Sequence, residues 1–215
     1  SRRFNQRAVL ENHSVYECLE MLRTHEFNPF ADAKFNKDSL LSLVIKLVLA
    51  TDMADHFFLV SDFKSKISER VREMSSDVRP VYGAPQRSAE FFEDLDEKCK
   101  LKVLIIALKV ADIGHLFTPF PVHSQWSALL EDEFFRQGQL EMGANREPGM
   151  LKDPRKPGVT DPGNSVAFFD VIGIPLVQMW ADVFPNSGVI ILEQAAANRR
   201  IYAEQAGMKK NDETP

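Results

Sequence analysis

Cysteine is scarce in this chain: two in 215 residues, Cys18 and Cys99, with neither Cys-x-x-Cys spacing nor the company for a disulfide framework. A reduced intracellular compartment, and so a cytoplasmic location, is the expectation. Basic charge is not in excess either. The 26 Lys and Arg against 31 Asp and Glu leave a formal charge of −5, which excludes a nucleic-acid binder built on a broad basic face and leaves room for a local anion site at most. Long apolar runs are missing. Residues 40–50 and 103–111 are interrupted by Lys46 and Lys109, and neither approaches the roughly 18 to 20 apolar residues that cross a bilayer, so no transmembrane helix is expected. The opening Ser1-Arg2-Arg3-Phe4-Asn5 lacks the apolar core of a secretory signal. Glycine-rich phosphate loops, a Walker lysine motif, a Gly-x-Ser-x-Gly elbow and a His-Glu-x-x-His helix are also absent, so nucleophilic triads have no support.

What is there reads as helix. At 44% hydrophobic and 27% charged the composition is that of an ordinary globular chain, one domain or part of a larger one. Alternating two-residue patterns bounded by Asn-Gly or Asp-Gly are absent, whereas helical spacing recurs, so the predicted class is all-α. Val9, Leu10, Val15, Leu19 and Leu22 define a first helix, followed by a polar break over 25–30. Asn36 to Ser39 supply capping residues for a helix that is apolar nearly all round from Leu43 to Leu49, expected to be buried and to run on through Asp52 and His56 toward Arg72. A loop with Pro80, Gly83 and Pro85 leads into a predicted helix over 88–110 that ends in Ala111-Asp112-Ile113-Gly114-His115-Leu116. A further helix over 122–140 carries Trp126, Leu129, Leu130, Phe134 and Phe135. Residues 143–163, dense in Pro and Gly, predict a loop of the kind that forms mobile lids or binding edges. Helix resumes over 164–180 with a kink at Pro175, and a last amphipathic helix covers 187–205, with a disordered tail over 207–215.

Ionisable groups at the ends of apolar helices suggest a cleft. Asp112 and His115, three apart, could share a ligand or a metal, or could bond backbone and cap a helix end. Asp52 and His56, four apart, invite the same comparison and are adequately explained as a surface i,i+4 pair. Glu11 near a helix start is favoured there by the helix dipole without any catalytic role. Most of the 16 Phe read as core.

Four ordered pieces change this picture: Arg7-Ala8-Val9-Leu10-Glu11-Asn12-His13, Leu49-Ala50-Thr51-Asp52-Met53-Ala54-Asp55-His56, Ala111-Asp112-Ile113, and Glu133-Phe134-Phe135-Arg136-Gln137-Gly138. With Val166 to Asp170 and Pro175 to Asp182 they resemble the class I cyclic nucleotide phosphodiesterases, over roughly residues 4 to 205. The resemblance implies a multi-helix all-α bundle and hydrolysis of cAMP and/or cGMP to 5′-nucleotides by a two-metal mechanism. Zinc would hold one site and Mg2+ or Mn2+ the other, the ions binding phosphate oxygens and acidifying a water. Carried across by motif, Asp112 would be a direct metal ligand, Glu11 would accept a hydrogen bond from metal-bound water, and Thr51 would lie in the second metal's water shell. Met53, His115, Leu130, Phe134, Ser165 and Phe168 would face the nucleotide, Phe168 stacking on the base against Leu130. Three positions depart from the pattern. Ser165 stands where the family places a base-binding glutamine, His115 replaces a frequent asparagine and His123 a common tyrosine, so the choice between cAMP and cGMP does not carry over.

In that family the leaving-group histidine and the remaining first-metal ligands precede the Leu-Glu-Asn-His motif, and so precede residue 1. The expectation is therefore the C-terminal part of a catalytic domain over 1–215, its N-terminal helices missing and the fragment inactive by itself. An apolar face would be left for a second copy or for the missing N-terminal part. Two other readings stay open: a non-catalytic phosphodiesterase-like module that binds a nucleotide or a protein through the same groove, and a plain helical scaffold.

Overall fold

A computed structural model describes residues 4, 7–24, 26, 28 and 36–208. Within them there is no strand, in agreement with the all-α expectation. The expected polar break over 25–30 and the motif start at Arg3 to Gln6 fall largely outside the described residues, as does the tail from 209 on. The chain divides into two compact units, the first comprising 1–75 and 91–112, the second 76–90 and 113–215.

In the first unit, α1 (Val9–Arg23) and α2 (Lys37–Leu49) precede a 3-10 turn, Met53–Asp55. Then α3 (His56–Phe63) and α4 (Glu69–Glu73) are joined by the π turn Lys64–Ser68, and α6 (Glu97–Asp112) closes the unit. The division falls inside α5 (Pro85–Glu93). Phe63, Ile67 and Val71, four apart on one helical row, are buried, and so are Val103, Ile106 and Val110 on α6, which packs on α3. Lys102 of α6 pairs with Asp62 of α3 across this contact.

Three expectations for this unit are corrected. The apolar helix α2 has no fully buried residue; among the described residues its main neighbours are α1, itself without a buried residue, and α6. Nor does it continue toward Arg72. Asp52 accepts from the Ala54 N–H at 2.9 Å and Thr51 Oγ1 donates to the Val48 carbonyl at 2.8 Å, so the side chains take over hydrogen bonds that an unbroken helix would make with backbone. The predicted helix over 88–110 is likewise split, since the Asp96 carboxylate accepts the Cys99 N–H at 2.8 Å and starts α6 afresh.

The second unit holds a 3-10 turn Gly114–Phe117, α7 (Phe120–Gly143), α8 (Pro162–Phe168), a π turn Phe169–Gly173, α9 (Ile174–Val183) and α10 (Pro185–Gln205). Its core gathers Leu116, Val166, Phe169, Ala195 and Tyr202. Gly188 lets α10 lie directly on α9, where a Cβ would run into Ala181. Pro175 lacks the N–H that would bond four residues back, and the π turn absorbs the mismatch just before it. Residues 162–183 together are long and apolar enough to cross a membrane by length and composition alone, a test that a buried core helix also passes. Their apolar side chains Val166, Phe169, Ile172, Leu176 and Val177 are buried within the unit.

On α7 the inward row is His123, Ser127, Leu130, Phe134 and Gly138, so Trp126, at 57% exposed, and Leu129 face outward. The loop between α7 and α8 is fastened to α7. Glu131 accepts the Thr160 N–H at 2.8 Å and Glu141 the Gly149 N–H at 2.8 Å, while buried Gly138 touches the Lys152 carbonyl. Arg155 grips Asp153 through two bonds, holding that carboxyl down at about 2. At the far end Gly207, with φ of 67°, and Met208, whose N–H bonds the Ala203 carbonyl, form the C-terminal cap of α10.

Asn198 ties the unit together: fully buried at 0% exposure, it donates to the Leu116 and Thr118 carbonyls at 2.9 and 2.8 Å and accepts from Gln194. Asn198→Ala leaves two carbonyls without a donor and is expected to destabilise the chain by about 2–3 kcal/mol, read as a lowered urea midpoint.

Candidate active site

In the first unit the break after α2 turns the carbonyls of Ala50 and Thr51 toward α6, where Lys109 Nζ donates to them at 3.1 and 3.5 Å. Lys109 is 3% exposed. Desolvation pushes its pKa down, and Asp112, Asp52, Asp55 and Glu11, in that order, push it back up. Three residues expected at the site, Glu11, Thr51 and Asp112, are thus assembled around one ammonium. Glu11 and Thr51 are half-buried, and Asp112 is exposed as the last residue of α6. Thr51 Oγ1 has its proton engaged with Val48 and can only accept from a ligand. Met53 is exposed in the 3-10 turn.

Lys109, Asp55 and the burial of His56 were not foreseen. His56 is 2% exposed, its Nδ1 has no partner, and desolvation followed by the charge on Lys109 lowers its pKa. The Asp52 and His56 pair is therefore no surface i,i+4 contact: Asp52 caps the 3-10 turn and His56 opens α3. A lysine inside an apolar run is the one signal in the sequence that could have pointed there.

In the second unit His115 and His123 are stacked, with Nδ1 to Nδ1 at 3.1 Å and ring centroids 5.1 Å apart, so one nitrogen carries the shared proton and the other accepts it. Phe120, Phe169 and Tyr202 surround His123. Burial, and then the neighbouring His115, push the His123 pKa down to about 4, and burial lowers that of His115. Ser165 is buried in α8 and donates to the Val159 carbonyl at 2.9 Å. Phe168 is partly exposed at the end of α8. Leu130 and Phe134 are half-buried on the inward row of α7, Phe134 under the Lys152 ammonium at 5.4 Å.

The model of the 3′5′-cyclic nucleotide phosphodiesterase family matches residues 1–195, and the chain belongs to that family. It is 30% identical over 202 residues to the 3′,5′-cyclic-AMP phosphodiesterase, isoform F, of Drosophila melanogaster, covering 93% of this chain and 28% of that protein. It is 32% identical over 187 residues to the dual specificity calcium/calmodulin-dependent 3′,5′-cyclic nucleotide phosphodiesterase 1B of Bos taurus, covering 86% of this chain and 30% of that protein. The chain thus spans under a third of the length of these relatives.

The family is metal-dependent, and the residues present fit a single ligand position. Among the described residues the Asp112 carboxylate has no hydrogen bond or ion pair, and no three His, Cys, Asp or Glu converge on a point.

The histidine pair sets a pH dependence. The folded chain holds both rings neutral, so the unfolded chain binds more protons between about pH 6.5 and 4, and stability is full above that window and falls through it. Between pH 7 and 5 the loss expected from His123 is about 2 kcal/mol, and thermal or urea unfolding of His123→Phe should show a smaller loss than the parent chain.

Proposed function

We propose that the intact protein hydrolyses 3′,5′-cyclic nucleotides to 5′-nucleotides, with this chain supplying one direct metal ligand and much of the nucleotide clamp. The observation that carries the reading is Asp112: an exposed carboxylate without a hydrogen bond, grouped with Glu11 and Thr51 around Lys109, in a chain of this family. Asp112 would hold a divalent ion, and hard carboxylate oxygen suits Zn2+, Mg2+ and Mn2+ alike, in keeping with zinc in one site and magnesium or manganese in the other. When bound, such ions supply Lewis acidity at the phosphoryl oxygens and a nucleophile drawn from water. Glu11 would accept a hydrogen bond from that water, and Thr51 Oγ1 would accept another while its own proton stays on Val48. Phe168, Leu130, Phe134 and Met53 offer apolar area to the base and ribose. His115 brings a ring nitrogen where an asparagine is the family pattern and His123 one where a tyrosine is, so the pair would bear on the cAMP or cGMP preference. The free thiols Cys18 and Cys99 support a reduced, cytoplasmic setting.

A second reading, a binding module without turnover, is favoured by one feature. Ser165 is bonded to Val159, and His115 and His123 are bonded to each other, so these groups satisfy themselves before any ligand arrives.

The test is hydrolysis of cAMP and of cGMP by the longest parent protein, with zinc and magnesium present and then chelated. Chelator-sensitive turnover is expected, and Asp112→Ala should lower kcat by more than the roughly 10- to 100-fold typical of an outer-shell residue. Unchanged turnover in that variant would remove the ligand assignment. A folded parent inactive on both nucleotides would establish the binding module.

A further inference from the structure

α7 carries more apolar surface than its own unit covers. Its inward row faces the core, and the loop that follows is fastened to the same half of the helix, through Glu131, Gly138 and Glu141. The opposite half presents a second row, Val122, Trp126, Leu129, Glu133, Arg136 and Leu140, every member of it exposed. Steps of four and three residues alternate along this row, which keeps it in one narrow stripe down the helix. Leu129 is 61% and Leu140 75% exposed, so the stripe is not the shoulder of a buried face. Glu133 and Arg136 lie in its middle, three apart, yet they do not pair with each other. Among the described residues neither makes a hydrogen bond or an ion pair.

Apolar side chains at alternating four and three spacing are how one helix seats on another, and the two charges decide what the other helix is. A parallel copy of α7 would set Glu133 on Glu133 and Arg136 on Arg136. An antiparallel copy, related by a two-fold axis passing between residues 134 and 135, sets each Glu133 on the Arg136 of the other chain. The same register brings Leu129 against Leu140 on both sides of the axis. Trp126 falls against Gly143, where an added Cβ would meet nothing and an indole has room. Moving the register by one layer in either direction sets Glu133 against Leu129, or Arg136 against Leu140, and leaves the charges unmatched. We propose that this row is a homodimer seam, occupied by α7 of a second copy of the chain in the antiparallel, two-fold arrangement. Because the axis repeats every contact, one helix supplies both halves of the match. The overlap covers residues 126–143, about 27 Å at 1.5 Å per residue. A single helix pair of that length is a small interface, of the kind that associates reversibly, so a monomer and dimer in equilibrium at micromolar concentrations are expected. The inference does not rest on the activity proposed above.

Sedimentation equilibrium of the chain through the micromolar range tests it. Glu133→Arg sets arginine on arginine across the axis and Arg136→Glu sets glutamate on glutamate, so each variant alone is expected to dimerise at least roughly tenfold more weakly than the parent chain. Mixed, the two variants are complementary to each other, and a heterodimer of about the parent affinity is expected, a rescue that a general effect on folding or net charge would not give. Should either charge variant not fold, Leu129→Ser and Leu140→Ser take its place, each expected to weaken the dimer at least roughly tenfold because both copies lose apolar contact. A chain that stays monomeric throughout the range overturns the proposal. So does a dimer that these variants leave unchanged, which would put the interface on another face, and so does a mixture of the two charge variants that fails to recover the dimer.

Discussion

A positive charge placed inside an apolar helix face has to be answered by oxygen, and in the first unit Lys109 dictates where that oxygen comes from. Val103, Ile106 and Val110 put one side of α6 in the core, and Lys109 shares that side. Were α2 to run on unbroken, the carbonyls of Ala50 and Thr51 would accept from the amides four residues ahead, and nothing would meet the ammonium. The chain breaks instead at Ala50. Asp52 takes over the Ala54 amide, and the two carbonyls turn to Lys109. The helix end, the capping aspartate and the buried lysine are thus one arrangement, and the same turn that serves the lysine sets Thr51 and Asp52 beside α6.

The second unit meets the same requirement with neutral groups. Asn198 satisfies two carbonyls of the segment between the 3-10 turn and α7, and the two histidines satisfy each other. Glu131 and Glu141 on α7 capture amides of the following loop. Such networks contribute modest net stability and make alternative packings costly, because each member left without its partner loses its hydration uncompensated. That is how a Pro- and Gly-rich segment can be held in place with little secondary structure of its own.

The periodicity of Val9 to Leu22, of 122–140 and of 187–205 was enough to place α1, α7 and α10 within a few residues, since apolar spacing and turn residues are local signals. The breaks at Ala50 and at Asp94 to Asp96 were not legible, because Thr-Asp and Asp-Leu-Asp are compatible with a helix interior and become caps only when tertiary partners claim the carbonyls. Burial was the weaker inference. Trp126 and Leu129 turned outward while His123 and Ser127 turned inward, an outcome decided by what lies opposite α7 and not by residue type. At the candidate site Asp112, Glu11 and Thr51 were legible through ordered motifs, whereas Lys109, a lone lysine in an apolar run, gives no local sign of where its ammonium ends.

The two sets of candidate residues differ in one respect that bears on chemistry. In the second unit the polar atoms are already matched, histidine to histidine and serine to carbonyl. In the first, Asp112 sits at the C-terminal end of α6, where the helix dipole disfavours a carboxylate by about 0.3–1 kcal/mol, and no hydrogen bond offsets the placement. What the acid gives the fold in return is its charge, which favours the buried Lys109 ammonium. Lys109, one turn back, donates to the Ala50 and Thr51 carbonyls and not to this carboxylate. A residue held at an energetic disadvantage, with its carboxylate exposed, is compatible with the ligand role proposed for it from the family pattern.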